Sequence, residues 1–270
     1  MILTERSFEG APAQVYIFWF LTGTIWVACW IYFLAGGGTG MSVMAMSTVG
    51  LPALLGGPAV PGPWSAGYTV TMLTMWWTMM LAMMLPGAFQ HFPKQEPSRG
   101  AAGGTAPRLR RLPGFALGYS AHWFVFSLAA VAVQYAIEAL GILDGMKLWS
   151  VRPDFSAALL VFAGLYQFTG FKRRALNRCG RETASGAGFS AGFRYGLHCL
   201  QASFALMLLL FVGGVMNLYW AVALTVIVAL EKKLEGAPSD VSVKKAAGLP
   251  TPGLRNVVGV AALALAAMHI

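Results

Sequence analysis

Methionine sulfur is the most concentrated chemistry in this sequence. Positions 72–86 read MLTMWWTMMLAMMLP and contain six methionines. Met72, Met75, Met79 and Met83 recur at spacings of three and four residues, which places them on one face of a helix, with Met80 and Met84 beside them. Thioether is a soft ligand that selects Cu(I). The alternative is that flexible methionine side chains only fill irregular contacts between helices.

Two further groups of methionines accompany this stripe. Met44 and Met46 lie in a segment rich in Gly and Pro at 36–66, and Met216 follows the pair Gly213-Gly214. We predict an outer metal site with Met72, Met75, Met79, Met83 and Met216 as ligands and with Met44 and Met46 admitting the ion. Thioethers carry no charge, so a monovalent ion suits them better than a divalent one in a membrane. The alternative is a glycine-rich loop with incidental methionines.

A rival inner site combines imidazole with sulfur. His122, His198 and Cys199 fall at a depth similar to that of Met80 and Met84 in neighbouring apolar segments. Imidazole and sulfur together suit copper or zinc. The alternative is that the two histidines form hydrogen bonds between helices.

The three cysteines, Cys29, Cys179 and Cys199, form no CxxC pair and no disulfide framework. We expect Cys179 in a cytoplasmic loop, in reduced form. No oxygen cage for Mg²⁺ or Ca²⁺ and no nucleophile–base set is visible, so we expect a protein that is not an enzyme.

Long apolar segments must position these residues. The chain has 270 residues, of which 57% are hydrophobic and 11% charged, far less charge than a soluble domain carries. About 20 apolar residues cross the ~30 Å hydrocarbon core of a bilayer. We predict an all-α bundle of six to seven transmembrane helices, at 15–34, 67–89, 115–140, 155–171, 193–212, 215–230 and 256–270. Residues 1–270 then form a single transmembrane domain with an outer loop at 36–66 and a flexible basic linker at 90–113.

The positive charges orient this bundle. With the N-terminus in the cytoplasm, 17 of the 19 Lys and Arg residues fall on the cytoplasmic side, as the positive-inside rule requires. The net charge of +9 is therefore explained by topology, and we expect no nucleic-acid partner.

Several short motifs resemble one bacterial family. The hallmark is Trp77-x-x-Met80-x-Ala82-Met83-Met84-x-Pro86. It is joined by Gly118-Tyr119 with Trp123, Tyr166-Gln167-x-Thr169-x-x-Lys172, Gly196-Leu197-x-Cys199-Leu200, the run from Gly214 to Leu218, and Glu231-Lys232. Together these motifs resemble the predicted metal-binding integral membrane proteins of domain-of-unknown-function family 2182. The sequence has Ala175 and Ala202-Ser203 where members of that family often carry cysteines.

The resemblance implies a metal-binding protein of the bacterial inner membrane. We expect copper as the metal, and a role in copper handling or in delivery to a membrane or periplasmic metalloenzyme. The alternative function is a non-catalytic accessory subunit, whose helices pack against partner subunits, lipid or quinone.

Overall fold

The protein is built from helices joined by loops in its computed structural model, which describes residues 13–55, 60, 62–89, 112–181, 188–235 and 253–268. The helices are α1 (Ala13–Leu34), α2 (Ala66–Phe89), α3 (Leu112–Ala139), α4 (Pro153–Phe168), α5 (Gly170–Arg181), α6 (Phe189–Leu208), α7 (Leu210–Gly213), α8 (Leu218–Glu235) and α9 (Leu254–Ala267), with a 3₁₀ turn at Pro52–Leu55. The all-α prediction is confirmed, and each of the seven predicted segments coincides with a helix to within a few residues, whereas α5 lies where a loop was predicted.

Four helical segments are long and apolar enough to cross a membrane: Tyr16–Leu34, Ala66–Ala88, Leu112–Ala139 and Phe189–Gly213. A fifth arises if α4 and α5, which meet at an angle of 67°, form one broken span. The apolar helix α9 is 14 residues long, and α8 carries four charged residues near its end. The count of six to seven spans and the orientation of the bundle therefore stay predictions.

Helix α2 lies at the centre, packed against α1, α3 and α8. Pro86 interrupts its hydrogen bonding, because a proline has no N–H to donate to the carbonyl four residues earlier. The indole of Trp26 on α1 donates to that carbonyl of Ala82 at 2.8 Å instead. The chain thus keeps a proline in a buried helix and ties α1 to α2 at the same point.

Helices α3 and α6 run side by side in close contact because glycines face each other. A Cβ at Gly192 would overlap the carbonyl group of Phe115, and a Cβ at Gly118 would overlap that of Phe189. Small residues at such crossings let helix backbones approach closely within a membrane. This approach brings the buried side chains of α3 and α6 into one layer with the end of α2.

Thr169 makes the bend between α4 and α5. Its backbone is extended (φ −68°, ψ 145°), which ends α4. Its hydroxyl donates to the carbonyl of Tyr166 at 2.7 Å and accepts from the backbone N–H of Lys172 at 3.3 Å, capping the start of α5. Helix α5 therefore turns across the end of the bundle rather than continuing along it.

Two ends of the bundle are distinguished below. The basic end is the one where α2 and α8 finish and where α5 exposes Arg173, Arg174 and Arg178. The loop end carries the segment between α1 and α2. The side-chain amide of Asn217 donates to the carbonyl of Thr48 at 2.8 Å and so fixes this segment. Residues 90–111 of the predicted basic linker lie outside the described residues. The loop at 36–66 is described except for 56–59 and 61, and the domain boundaries stay predictions.

Candidate metal centre

Two cysteine sulfurs meet at the basic end. The Sγ atoms of Cys179 on α5 and Cys199 on α6 lie 3.2 Å apart, and both thiols are free. The two residues are 2% and 0% exposed. A pair of close, buried thiols on separate helices is the strongest soft-ligand set that cysteine can provide.

The sequence analysis put Cys179 in a loop, and the structure differs there. Helix α5 buries Lys172, Ala175, Leu176 and Cys179. These positions follow the i, i+3, i+4, i+7 pattern of one helical face, while the arginines of α5 occupy the opposite face. The missed signal was this spacing, because the arginines lower the hydropathy of a helix that is only 12 residues long.

Met84 and Lys232 adjoin the thiol pair. The ammonium Nζ of Lys232 on α8 lies 3.9 Å from Sδ of Met84, and its charge lies close enough to act on the thiols of Cys199 and Cys179. Met84 and Lys232 are 0% and 7% exposed. A positive charge beside a thiol favours the thiolate, which is the form that binds metal.

Two tyrosines fix this centre to α2. The hydroxyl of Tyr119 donates to the carbonyl of Met84 at 3.1 Å, and that of Tyr195 donates to the carbonyl of Gly87 at 3.3 Å. Both hydroxyls also interact electrostatically with the thiol of Cys199. Tyr195 and Cys199 are four residues apart on α6 and therefore share a face. We call Met84, Cys179, Cys199 and Lys232 the sulfur–lysine centre.

A buried ion pair lies next to the sulfur–lysine centre. Lys172 donates to Oε2 of Glu231 at 2.7 Å, with both side chains almost fully buried. Gln167 hydrogen-bonds both partners, donating to Glu231 at 3.1 Å and accepting from Lys172. Glu231 thus faces Lys172, while the next residue, Lys232, faces the sulfurs. The ion pair fixes α5 against α8 and so sets the position of Cys179.

The structure separates the residues of the predicted inner site into two groups. Cys199 and Met84 belong to the sulfur–lysine centre, and Met80 is fully buried beside it on α2. His122 instead packs edge-on against Trp123 and Phe193 and over Gly196, and His198 is paired with Gln201 at 3.2 Å. Among the described residues, no three His, Cys, Asp or Glu side chains converge as a metal site. A metal role for the two histidines stays a prediction.

The predicted outer methionines mostly face inward. Met72, Met75, Met79, Met83, Met216 and Met46 are between 0% and 2% exposed, whereas Met44 is 63% exposed. Gly37 sits between two of them, since a Cβ there would lie 2.9 Å from Cγ of Met75 and 3.4 Å from Cε of Met216. Sδ of Met72 accepts from the amide of Gln134 at 3.5 Å. Burial fits packing as well as binding, so the outer ligand set stays a prediction.

Comparison with known proteins supports copper as the metal. Residues 73–254 match the model of the family PpoB2, described as a copper chaperone. The matched region contains the whole sulfur–lysine centre and excludes Met44, Met46 and Met72. No curated protein and no solved structure matches the chain. The resemblance of the motifs to domain-of-unknown-function family 2182 stays an interpretation. The PpoB2 match covers about two thirds of the sequence, and the chain therefore belongs to this family of copper chaperones.

Proposed function

We propose that this protein is a membrane-embedded Cu(I) carrier that binds the ion at the sulfur–lysine centre and passes it to a partner protein. The observation that carries the proposal is the buried contact at 3.2 Å between the sulfurs of Cys179 and Cys199. Thiolates select Cu(I), and the thioether of Met84 offers a third soft ligand without added charge. Each thiol that becomes a ligand releases one proton as the Cu–S bond forms.

The bacterial inner membrane is the proposed location. Four or five apolar helices support it, as do the exposed apolar side chains of α1, among them Ile17, Phe20 and Ile31. With the N-terminus in the cytoplasm, the basic end and its thiols face the cytoplasm. That compartment keeps thiols reduced and able to bind Cu(I).

The outer methionines give the ion a second place to bind. From Met84, the stripe of α2 leads toward Met75 and Met216 at the loop end, about 14 Å along the helix at 1.5 Å per residue. We propose that these thioethers exchange Cu(I) with a membrane or periplasmic metalloenzyme. The protein then acts as a carrier and not as a catalyst.

The competing function is an accessory subunit without metal, for which the same methionines serve only as packing. Copper content separates the two. Protein purified in mild detergent and kept reduced is titrated with Cu(I) in the presence of a competing Cu(I) chelator. The variants are Cys179→Ala and Cys199→Ala, and the matched control is Cys29→Ala, which removes the third cysteine, a buried residue of α1.

We expect one tightly bound Cu(I) in wild type and in Cys29→Ala, and loss of that ion in the other two variants. Absence of tight Cu(I) binding in wild type would refute the carrier and favour the accessory subunit. Equal binding by all four proteins would refute the thiol pair as the site.

A further inference from the structure

Lys232 is an unusual neighbour for a metal site, because it brings a second cation into it. Its side chain is 7% exposed, its Nζ lies 3.9 Å from Sδ of Met84, and its charge acts on the thiols of Cys199 and Cys179. Gly87 makes room for it, since a Cβ there would lie 2.9 Å from Cδ and 3.1 Å from Nζ of the lysine. The absence of a side chain at Gly87 therefore leaves space on α2 for the ammonium beside the sulfur of Met84.

Lys232 forms no ion pair with a carboxylate among the described residues. Its neighbour Glu231 interacts with it electrostatically, but both carboxylate oxygens of Glu231 are engaged, one by Lys172 at 2.7 Å and one by Gln167 at 3.1 Å. A buried charge without a paired counter-charge is costly, and loss of the proton of one thiol would neutralise it.

The net charge of the loaded site then depends on the ion. Two thiolates and Cu(I) carry a net charge of −1, which the ammonium brings to zero. Two thiolates and Zn(II) are already neutral, and the ammonium leaves that complex at +1. Because a net charge is expensive in an apolar surrounding, the same lysine that favours a monovalent ion penalises a divalent one.

We propose that Lys232 is the specificity-determining residue of the sulfur–lysine centre and makes it selective for Cu(I) over Zn(II). This inference depends on the proposed function, since it assumes that the two thiolates bind the ion. The lysine remains protonated throughout and is not a ligand. Loading with Cu(I) releases two thiol protons and leaves the ammonium in place beside a neutral cluster.

The test measures how removal of the charge at position 232 changes the affinity for Cu(I) relative to that for Zn(II). Lys232→Gln removes the charge, keeps an unbranched side chain and adds no sulfur ligand. Lys233→Gln, at the exposed adjacent position, removes the same charge outside the centre. Lys232→Arg restores the charge. Dissociation constants for Cu(I) and for Zn(II) are measured by chelator competition on reduced protein in detergent, and their ratio is compared with that of wild type.

We expect the preference for Cu(I) over Zn(II) to fall on the order of tenfold to a hundredfold in Lys232→Gln, as loss of one unit charge at contact distance implies. Lys233→Gln and Lys232→Arg should keep most of the wild-type ratio. An unchanged ratio in Lys232→Gln would overturn the inference even if the affinity for both ions dropped together, because a merely structural role weakens the binding of both ions alike.

Two further outcomes are distinguishable. If wild type binds no Cu(I), the proposed function fails and the selectivity inference falls with it. If Lys232→Gln does not yield folded protein, Lys232→Leu serves in its place, since it also removes the charge and adds no sulfur ligand. The same ratio then decides the question.

Discussion

At the scale of single residues, sulfur chemistry is divided between two ligand types. The thiols of Cys179 and Cys199 form a pair that becomes anionic when it loses protons, whereas the methionines of α2 stay uncharged. A thiolate pair therefore holds Cu(I) tightly, and thioethers hold it loosely enough to pass on. The tyrosines 119 and 195 fix the pair to α2 through the carbonyls of Met84 and Gly87.

A triple variant tests whether the α2 methionines bind the ion. Leucine replaces methionine at positions 75, 79 and 83 with similar volume and apolarity, so the bundle should lose less than about 1.5 kcal/mol of stability per site. We expect wild type to take up more copper than the single ion of the thiol pair when Cu(I) is in excess. The triple variant should retain that single ion alone. Equal copper uptake by the two proteins would leave these methionines as packing residues.

At the scale of helices, local periodicity and close approach explain different parts of the structure. The spacing of Met72, Met75, Met79 and Met83 was enough to predict one buried face of α2, and those residues are buried. The position of Cys179 was missed because an arginine-rich stretch of 12 residues looks like a loop when hydropathy alone is considered. The pairing of Lys172 with Glu231 joins residues 59 apart in the chain, and no local pattern encodes such a contact.

The structure shows where the alanines lie that stand in place of cysteines common in the family that the motifs resemble. Ala175 and Ala202 pack together with Leu176 in one small buried cluster, on the same helices as Cys179 and Cys199. The structure shows two thiols that remain in contact, which is sufficient for a two-coordinate soft-metal site.

Glycine at the contact of α3 and α6 gives a prediction about stability. Gly192→Ala would place a Cβ over the carbonyl of Phe115, so the helices must separate. Overpacking of this kind costs typically 1–3 kcal/mol, seen as a lower midpoint of thermal unfolding in detergent. The matched control is Gly23→Ala on α1, where nothing lies within 4 Å of the new Cβ. Equal midpoints for the two variants would contradict the close contact.

At the scale of the whole molecule, the two ends differ in charge and in sulfur type. The basic end carries the arginines and the thiol pair, and the loop end carries Met216 and, within the segment between α1 and α2, Met46. The positive-inside rule assigns the basic end to the cytoplasm. Such a layout places the tighter ligands on the reducing side and the looser ones on the side of a periplasmic partner.

Cysteine labelling of intact cells tests this orientation. Met146 is 50% exposed between α3 and α4, and Arg174 is exposed on α5. The three native cysteines are buried, so they give a low background. A membrane-impermeant maleimide should label Met146→Cys and leave Arg174→Cys unlabelled until the cells are permeabilised. The opposite pattern would place the thiol pair on the periplasmic side and contradict the proposed orientation.

The most direct test of the central claim is X-ray absorption of the copper-loaded, reduced protein at the copper edge. The sulfur–lysine centre predicts an edge typical of Cu(I) and a first coordination shell made of sulfur alone, which changes in Cys199→Ala and not in Cys29→Ala. A first shell that contains imidazole nitrogen would contradict the account, and would assign the ion to a histidine instead.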